Sequence, residues 1–149
     1  MFPLLNKHLY LGQDVDGYDV VSFNSNYTGG LMRTQYYNDP VISQGLNYAD
    51  TVSFLSSFNS GGGTPFSDWR IPSKDEMQEM INVSDSAPGL VTSNRTAWTS
   101  TEGEVGGIPT PSTNWALEYS STGSPSYYFS AYDKAGSYFG VFFIRNFTL

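Results

Sequence analysis

Only two stretches of this chain carry helical period, and they follow one another in its middle. Asn47 stands where a helix cap is wanted, with Asp50 at the third position behind it. Tyr48, Val52 and Leu55 recur at helical spacing, as do Phe54 and Phe58. Gly61-Gly62-Gly63 stops that helix. The second start is clearer. Ser73-Lys74-Asp75-Glu76 is a capping box, in which hydroxyl and carboxylate each serve the other residue's amide. Pro72 keeps the helix from beginning earlier. Met77, Met80 and Ile81 form its buried stripe, and the pattern fades near Asn82.

Strand-like sequence flanks this pair. His8-Leu9-Tyr10-Leu11, Asp19 to Phe23 and Leu31 to Thr34 precede it, with Gly29-Gly30 as a turn signal. Behind it come Thr96 to Ser100, Trp115 to Tyr119, Tyr127 to Ala131 and Phe139 to Ile144, all aromatic or β-branched. Turn-rich clusters at Gly103 to Ser112, Ser120 to Pro125 and Asp133 to Ser137 separate them. Strands, two helices, then strands imply an α+β fold with the helices packed on a twisted antiparallel sheet with long loops, not a βαβ winding. At 149 residues one domain is expected. Residues 1–37 read as a front segment of strands and docking sequence, and 38–149 as the body of the same domain.

Charge narrows the function classes. Seven basic against fourteen acidic residues give a net charge of −7, which argues against nucleic acid and against an anionic membrane surface. No apolar run approaches the ~18 residues of a membrane span. With no cysteine there are no disulfides, thiolate metal sites or cysteine nucleophiles. The N-terminus, Met1 to His8, lacks the basic start and apolar stretch of a secretory signal.

One stretch is more specific. Phe66-Ser67-Asp68-Trp69-Arg70-Ile71-Pro72-Ser73-Lys74-Asp75-Glu76-Met77 resembles the "dWRLPt-kEL" signature of the DUF1566 family, which includes the C-terminal domain of the Legionella collagen-like adhesin. The helix from Asn47 to Phe58, Trp98 to Glu102, Trp115-Ala116-Leu117 and Val141 to Arg145 are similar to further elements of that family, in the same order. The family's frequent cysteines are absent, and one arginine closes the chain where two are common. The resemblance spans about Asn47 to Arg145 and implies a C-type-lectin-like fold. That fold is shared with formylglycine-generating enzymes and phage receptor-binding tips. Trp69, Arg70, Pro72, Glu76, Trp98, Trp115 and Arg145 are its motif residues. Their chemistry suits a framework: indoles with one donor each, and a guanidinium fork for carbonyls or carboxylates.

Catalytic chemistry finds little support. The single histidine, His8, lacks the partners of a zinc site, and no nucleophile-elbow pattern stands anywhere. Glu102 and Glu104 are spaced like a glycosidase pair but lie in a Gly-rich stretch that reads as a solvated loop. No enzyme is expected. Asp14, Asp16 and Asp19 surround Gly17 as calcium ligands do, and an Asp-Gly turn between strands explains them equally.

Binding fits better. Tyr119, Tyr127, Tyr128, Tyr132 and Tyr138 stand among Ser, Gly and Asn, a composition that gives broad amphipathic contact at low entropic cost. With the lectin-like resemblance, this describes a virion surface protein of a bacteriophage, such as a tail-fibre tip, head fibre or decoration protein. It would attach to host-surface glycan or protein and contact other virion proteins, and a homotrimer is the first expectation. Phe2, Leu4, Leu5 and Leu9 are the anchors expected of a docking segment. A purely structural decoration protein and a bacterial lectin-like adhesin are the alternatives, with a clonally variable receptor-binding protein behind them.

Overall fold

The computed structural model describes residues 14–15, 18–26, 28–37, 45–61, 63–86, 95–120 and 126–148. His8, Asp16 and the anchors of the expected docking segment lie outside the described residues.

The fold is α+β. Strands β1 (Asp14–Val15), β2 (Tyr18–Phe23) and β3 (Gly29–Arg33) come first. Helices α1 (Tyr48–Ser60) and α2 (Lys74–Ser86) follow, and then β4 (Arg95–Val105), β5 (Ile108–Ser120), β6 (Ser126–Asp133) and β7 (Ile144–Thr148). The strands form two antiparallel sheets rather than the one expected. One has the order β1-β2-β3-β7 and the other β4-β5-β6. The chain's last strand thus pairs with the front segment, from Gly29 opposite Thr148 to Arg33 opposite Ile144.

Both helices form for the local reasons read from sequence. Asn47 Oδ1 accepts the Asp50 amide at 2.8 Å and caps α1. The Ser73 amide donates to Glu76 Oε1 at 2.9 Å, and the Glu76 amide returns the bond to Ser73 Oγ at 3.2 Å. α2 runs on to Ser86, past the fading of its apolar stripe near Asn82.

Two glycine signals resolve differently from expectation. Gly29 and Gly30 are inside β3, not at a turn. A Cβ on Gly30 would stand 1.9 Å from the Ser22 carbonyl oxygen, beside the register shift between Val20 and Ser22. The stretch from Gly103 to Ser112 is the end of a hairpin, not a loop: Gly103, Glu104 and Val105 pair with Thr110, Pro109 and Ile108, and a register shift follows between Glu102 and Gly103. Gly106 (φ 62°) and Gly107 (φ 80°) make its two-residue turn, where positive φ at both positions suits the twist of the flanking strands.

The segment from Phe139 to Ile144 joins the layers. It is not one strand, as its composition suggested, but a seam of bridges. Phe139 exchanges backbone bonds with Leu46, Val141 with Tyr37 and Ile144 with Arg70, while Gly140 bonds to Thr96 and Trp98. Gly140 is required there, because a Cβ would meet the Tyr36 ring at 2.1 Å.

The main core lies where both sheets meet α2. Val21 and Leu31 from the first sheet, Met77, Met80 and Ile81 from α2, Ala97 and Leu117 from the second sheet, and Phe142 and Ile144 from the seam form one cluster. A second cluster seats α1. Trp69, Ile71, Val141 and Phe143 are buried there under Phe54, Leu55 and Phe58. Tyr48, Phe54, Leu55 and Phe58 of the two helical repeats are thereby used, whereas Val52 is exposed.

The signature residues are framework. Asn59 clamps the Trp69 backbone through two hydrogen bonds of 2.9 and 3.0 Å, and Thr64 Oγ1 accepts the indole N–H at 3.1 Å. Arg70 binds both carboxylate oxygens of Glu76 at 2.8 Å and also Asn146 Oδ1 at 2.7 Å. Pro72 is buried, and its carbonyl accepts the Ser100 amide at 2.9 Å, fixing the start of α2 to β4. Trp98 is fully buried and donates its indole N–H to the Leu46 carbonyl at 2.8 Å. Trp115 is only half-buried and carries the Lys74 ammonium 4.0 Å from its ring centroid.

Candidate ligand-binding face

Alternation along β4, β5 and β6 gives the second sheet two faces of different character. On one, Ala97, Leu117, Trp115 and Phe129 meet α2, through the core and through Lys74. On the other lie Trp98, Asn114, Glu118, Tyr128, Ser130 and Tyr132.

The inner end of that second face is closed by aromatics. Phe139 packs on Trp98 with 4.9 Å between centroids, and Tyr48 meets Trp98 edge-on at 5.6 Å. Burial raises the Tyr48 phenol above its ordinary pKa, with a hydrogen bond to Asn114 opposing the shift. Tyr132 continues the wall, edge-on to Phe139 at 4.8 Å.

The outer end is open. Tyr128 is 56% exposed, and its backbone is directly opposite Glu118. Tyr132 reaches along the same face and donates its hydroxyl to Glu118 Oε2. Glu118 raises the Tyr128 phenol above its ordinary pKa, through hydrogen bonding first and then, after burial, through its charge. Ser130 lies between the two tyrosines on the same face of β6. Burial first, then the Glu118 hydrogen bond and charge, push the Tyr132 phenol up to about 12. The result is one carboxylate held by the Tyr132 hydroxyl, with the exposed Tyr128 ring beside it.

The five tyrosines singled out from sequence therefore do not form one patch. Tyr128 and Tyr132 converge on Glu118. Tyr127 projects to the opposite face, where its hydroxyl accepts from Gln78 Nε2 of α2 at 2.9 Å. Tyr138 is 49% exposed in the connection after β6. The backbone of Tyr119 pairs with Arg95 and Tyr127, and its side chain lies outside what is described. Sequence reasoning missed Glu118. Its alternation with Leu117 puts it on the non-core face, but only the β5–β6 register brings it opposite Tyr128.

Asp14 and Asp19 have paired backbones across β1 and β2, and Asp16 lies outside the described residues. Among the described residues no three His, Cys, Asp or Glu side chains converge as a metal site would need. Glu102 and Glu104 are exposed on the β4 arm of the hairpin, opposite Asn114 and Pro109, and not in a loop. No helix among the described residues is long and apolar enough to cross a membrane.

Comparison with protein-family models, with curated proteins and with solved structures returns no match.

Proposed function

We propose that this protein is a non-enzymatic attachment protein of C-type-lectin-like architecture, displayed on a virion surface, that binds a host-surface glycan through the outer face of β4, β5 and β6. The observation that carries this is the exposed Tyr128 ring, directly across the sheet from a carboxylate held by the Tyr132 hydroxyl. A sugar ring stacks on an aromatic face, and its hydroxyls bond to fixed oxygens alongside. The lectin-like architecture draws support from the pairing of the closing strand with a front strand, and from the separate three-stranded sheet. Trp69, Arg70, Glu76 and Trp98, among the residues that carry the DUF1566 resemblance, make hydrogen bonds within the framework. A trimer remains the oligomeric state to test, by sedimentation.

The test is a glycan array with the protein displayed multivalently, because single sites of this kind bind weakly. It is run with calcium and with chelator. Selective binding lost in Tyr128→Ala supports the proposal, and its loss in chelator adds the loop of Asp14, Asp16 and Asp19 as a calcium site. Silence across the array counts against glycan attachment.

A second function has its own observation. Val105 and Ile108, facing each other across the hairpin turn, are 58% and 68% exposed. An apolar tip on a projecting arm suits docking into another virion protein, as a purely structural decoration protein would do.

A further inference from the structure

A strand at the edge of a sheet offers unpaired backbone groups to any other chain, and proteins blunt such edges. This chain does so at several. β1 is only two residues long. β7 meets Arg70 at Ile144. β4 exchanges bonds with Gly140 through Thr96 and Trp98, and its Ser100 amide is taken by the Pro72 carbonyl. Pro109 and Pro111 remove donors from the stretch of β5 that β6 leaves uncovered. Among the described residues β6 has no such device. It is the last strand of its sheet and pairs with β5 through eight successive positions without a register shift. Its sequence holds no proline and no basic residue, and its one charge, Asp133, stands at the very end.

The register shows which groups this edge presents. The Lys134 amide donates to the Ser112 carbonyl at 2.9 Å, in line with the β5–β6 pairing, so even-numbered residues of β6 turn their backbone bonds toward β5. Trp115, opposite Ala131, agrees: its carbonyl faces β4, where it accepts the Thr99 hydroxyl at 2.8 Å. The N–H and C=O of Tyr127, Phe129 and Ala131 therefore point away from the sheet. Among the described residues none of these six groups has a hydrogen-bond partner. Asp133 differs, since its carbonyl accepts the Ser137 amide at 3.1 Å.

We infer that the outer edge of β6 is an interface for a second copy of this chain, paired antiparallel about a two-fold axis at Phe129. In that register Phe129 faces Phe129 of the second copy, and Tyr127 faces its Ala131. Every outward donor and acceptor then finds its partner, so the edge is complementary to itself, as a two-fold interface must be. Charge favours this edge over the rest of the surface. A chain of net charge −7 repels its own copy, but the paired stretch is neutral and the two Asp133 residues fall at opposite ends. Glu118 stays one strand back on each side. The two carboxylates are thus three strand spacings apart, at least about 14 Å, beyond the screening length at physiological salt. The pairing closes at two copies, so this edge builds a dimer and not the trimer expected from sequence. It does not rest on glycan binding, but it sets Tyr128 across from Ser130 of the second copy. Two outer faces would then form one surface, which supplies bivalence.

The experiment joins sedimentation of the full chain over a wide concentration range to residue-resolved amide exchange on the same samples. The expected result is a shift from one chain mass to two. With it, the amides of Tyr127, Phe129 and Ala131 are expected to slow by about tenfold or more, while those of Tyr128, Ser130 and Tyr132 are slow throughout. Ala131→Pro removes one outward donor at an edge position where proline is tolerated. It is expected to keep the melting temperature of the dilute protein and to stay at one chain mass where the unmodified protein is paired. Should that variant unfold, the exchange pattern of the unmodified protein decides alone. A single chain mass at every concentration overturns the inference. So does a trimer, or a dimer in which those three amides still exchange freely. Slow exchange of the three at one chain mass overturns it too, because the chain then covers its own edge. A folded Ala131→Pro that still pairs does the same.

Discussion

Arg145 holds Asp68 with both sides of its fork: Nε to Oδ1 at 2.7 Å and Nη2 to Oδ2 at 3.2 Å. The two partners differ in setting. Arg145 is 7% exposed and lies 3.7 Å from the Phe66 ring centroid, whereas the Asp68 side chain is 61% exposed. Solvent screens the carboxylate, so the pair contributes less than a fully buried one. Removing it still leaves a guanidinium in the interior with its best partner gone. Asp68→Asn is expected to lower unfolding stability by about 1 kcal/mol, read from urea midpoints.

The same pair sets a pH dependence. The Arg145 hydrogen bond and charge hold the Asp68 carboxyl below its ordinary value, against a smaller opposing effect of burial. A lowered folded pKa stabilises above the unfolded value, near 4, and that stability is lost as pH falls through the folded value. The stability gap between the unmodified protein and Asp68→Asn is therefore expected to be constant at neutral pH and to shrink below about pH 4. A gap that stays level into strong acid would contradict the ion-pair account.

Trp98 joins the second sheet to the segment ahead of α1. Its indole is fully buried, bonded to the Leu46 carbonyl and packed between Phe139 and Tyr48. Trp98→Phe keeps an aromatic ring but removes the donor and leaves a void. The Leu46 carbonyl keeps the Phe139 amide, so the expected loss of about 2–3 kcal/mol comes mainly from the cavity, with the lost indole bond adding to it. Trp115→Phe, at a half-buried position under Lys74, is expected to cost well under half as much in the same melt. Equal losses would mean that the two tryptophans share the framework role expected of them from sequence.

What the sequence disclosed follows the range of the interactions concerned. The caps at Asn47 and Ser73 act over three residues, so both helix starts were legible. The core stripe Met77, Met80 and Ile81 was legible for the same reason, since one helix turn defines it. The division into two sheets was not. It depends on β3 meeting β7 across more than a hundred residues, and no local pattern encodes that choice. The whole stretch from Gly103 to Ser112 looked like turn, because glycines and prolines interrupt the strand pattern. Pro109 and Pro111 are tolerated because β6 pairs with β5 only from Thr113 onward. The tyrosine cluster was visible as composition. Its separation into Tyr127 on one face and Tyr128 with Tyr132 on the other follows from period two, and Glu118 required the register.

Gly140 tests the seam. An added Cβ there would overlap the Tyr36 ring at 2.1 Å, and Tyr36 is tied by its hydroxyl to the Thr96 carbonyl at 3.0 Å. Gly140→Ala must displace the ring and break that bond. A loss of about 2–3 kcal/mol is expected, from overpacking plus a released hydrogen bond. In the Tyr36→Ala background the ring is gone, so Gly140→Ala is expected to cost much less. A double-mutant cycle reads that coupling directly. Additive losses would show that Gly140 is required for another reason, such as its backbone bonds to Thr96 and Trp98.

Tyr132 offers a test of the binding face that needs no ligand. Its phenol is pushed up to about 12 by burial and by its hydrogen bond to Glu118. In the unfolded chain it titrates near 10. A raised folded pKa gives stability that is fully present below the unfolded value and is lost as pH rises through the folded one. Between about pH 10 and 12 the unfolded chain releases this proton while the folded protein keeps it, so the equilibrium moves toward unfolding. Tyr132→Phe removes both the bond to Glu118 and the titrating group. The stability difference between the unmodified protein and Tyr132→Phe is expected to be level up to about pH 9 and to narrow above 10. In parallel, tyrosinate absorbance should lose its most alkaline step in the variant. A difference that holds level through pH 12, with that step still present, would place the Tyr132 hydroxyl in solvent and dissolve the carboxylate clamp on which the outer face depends.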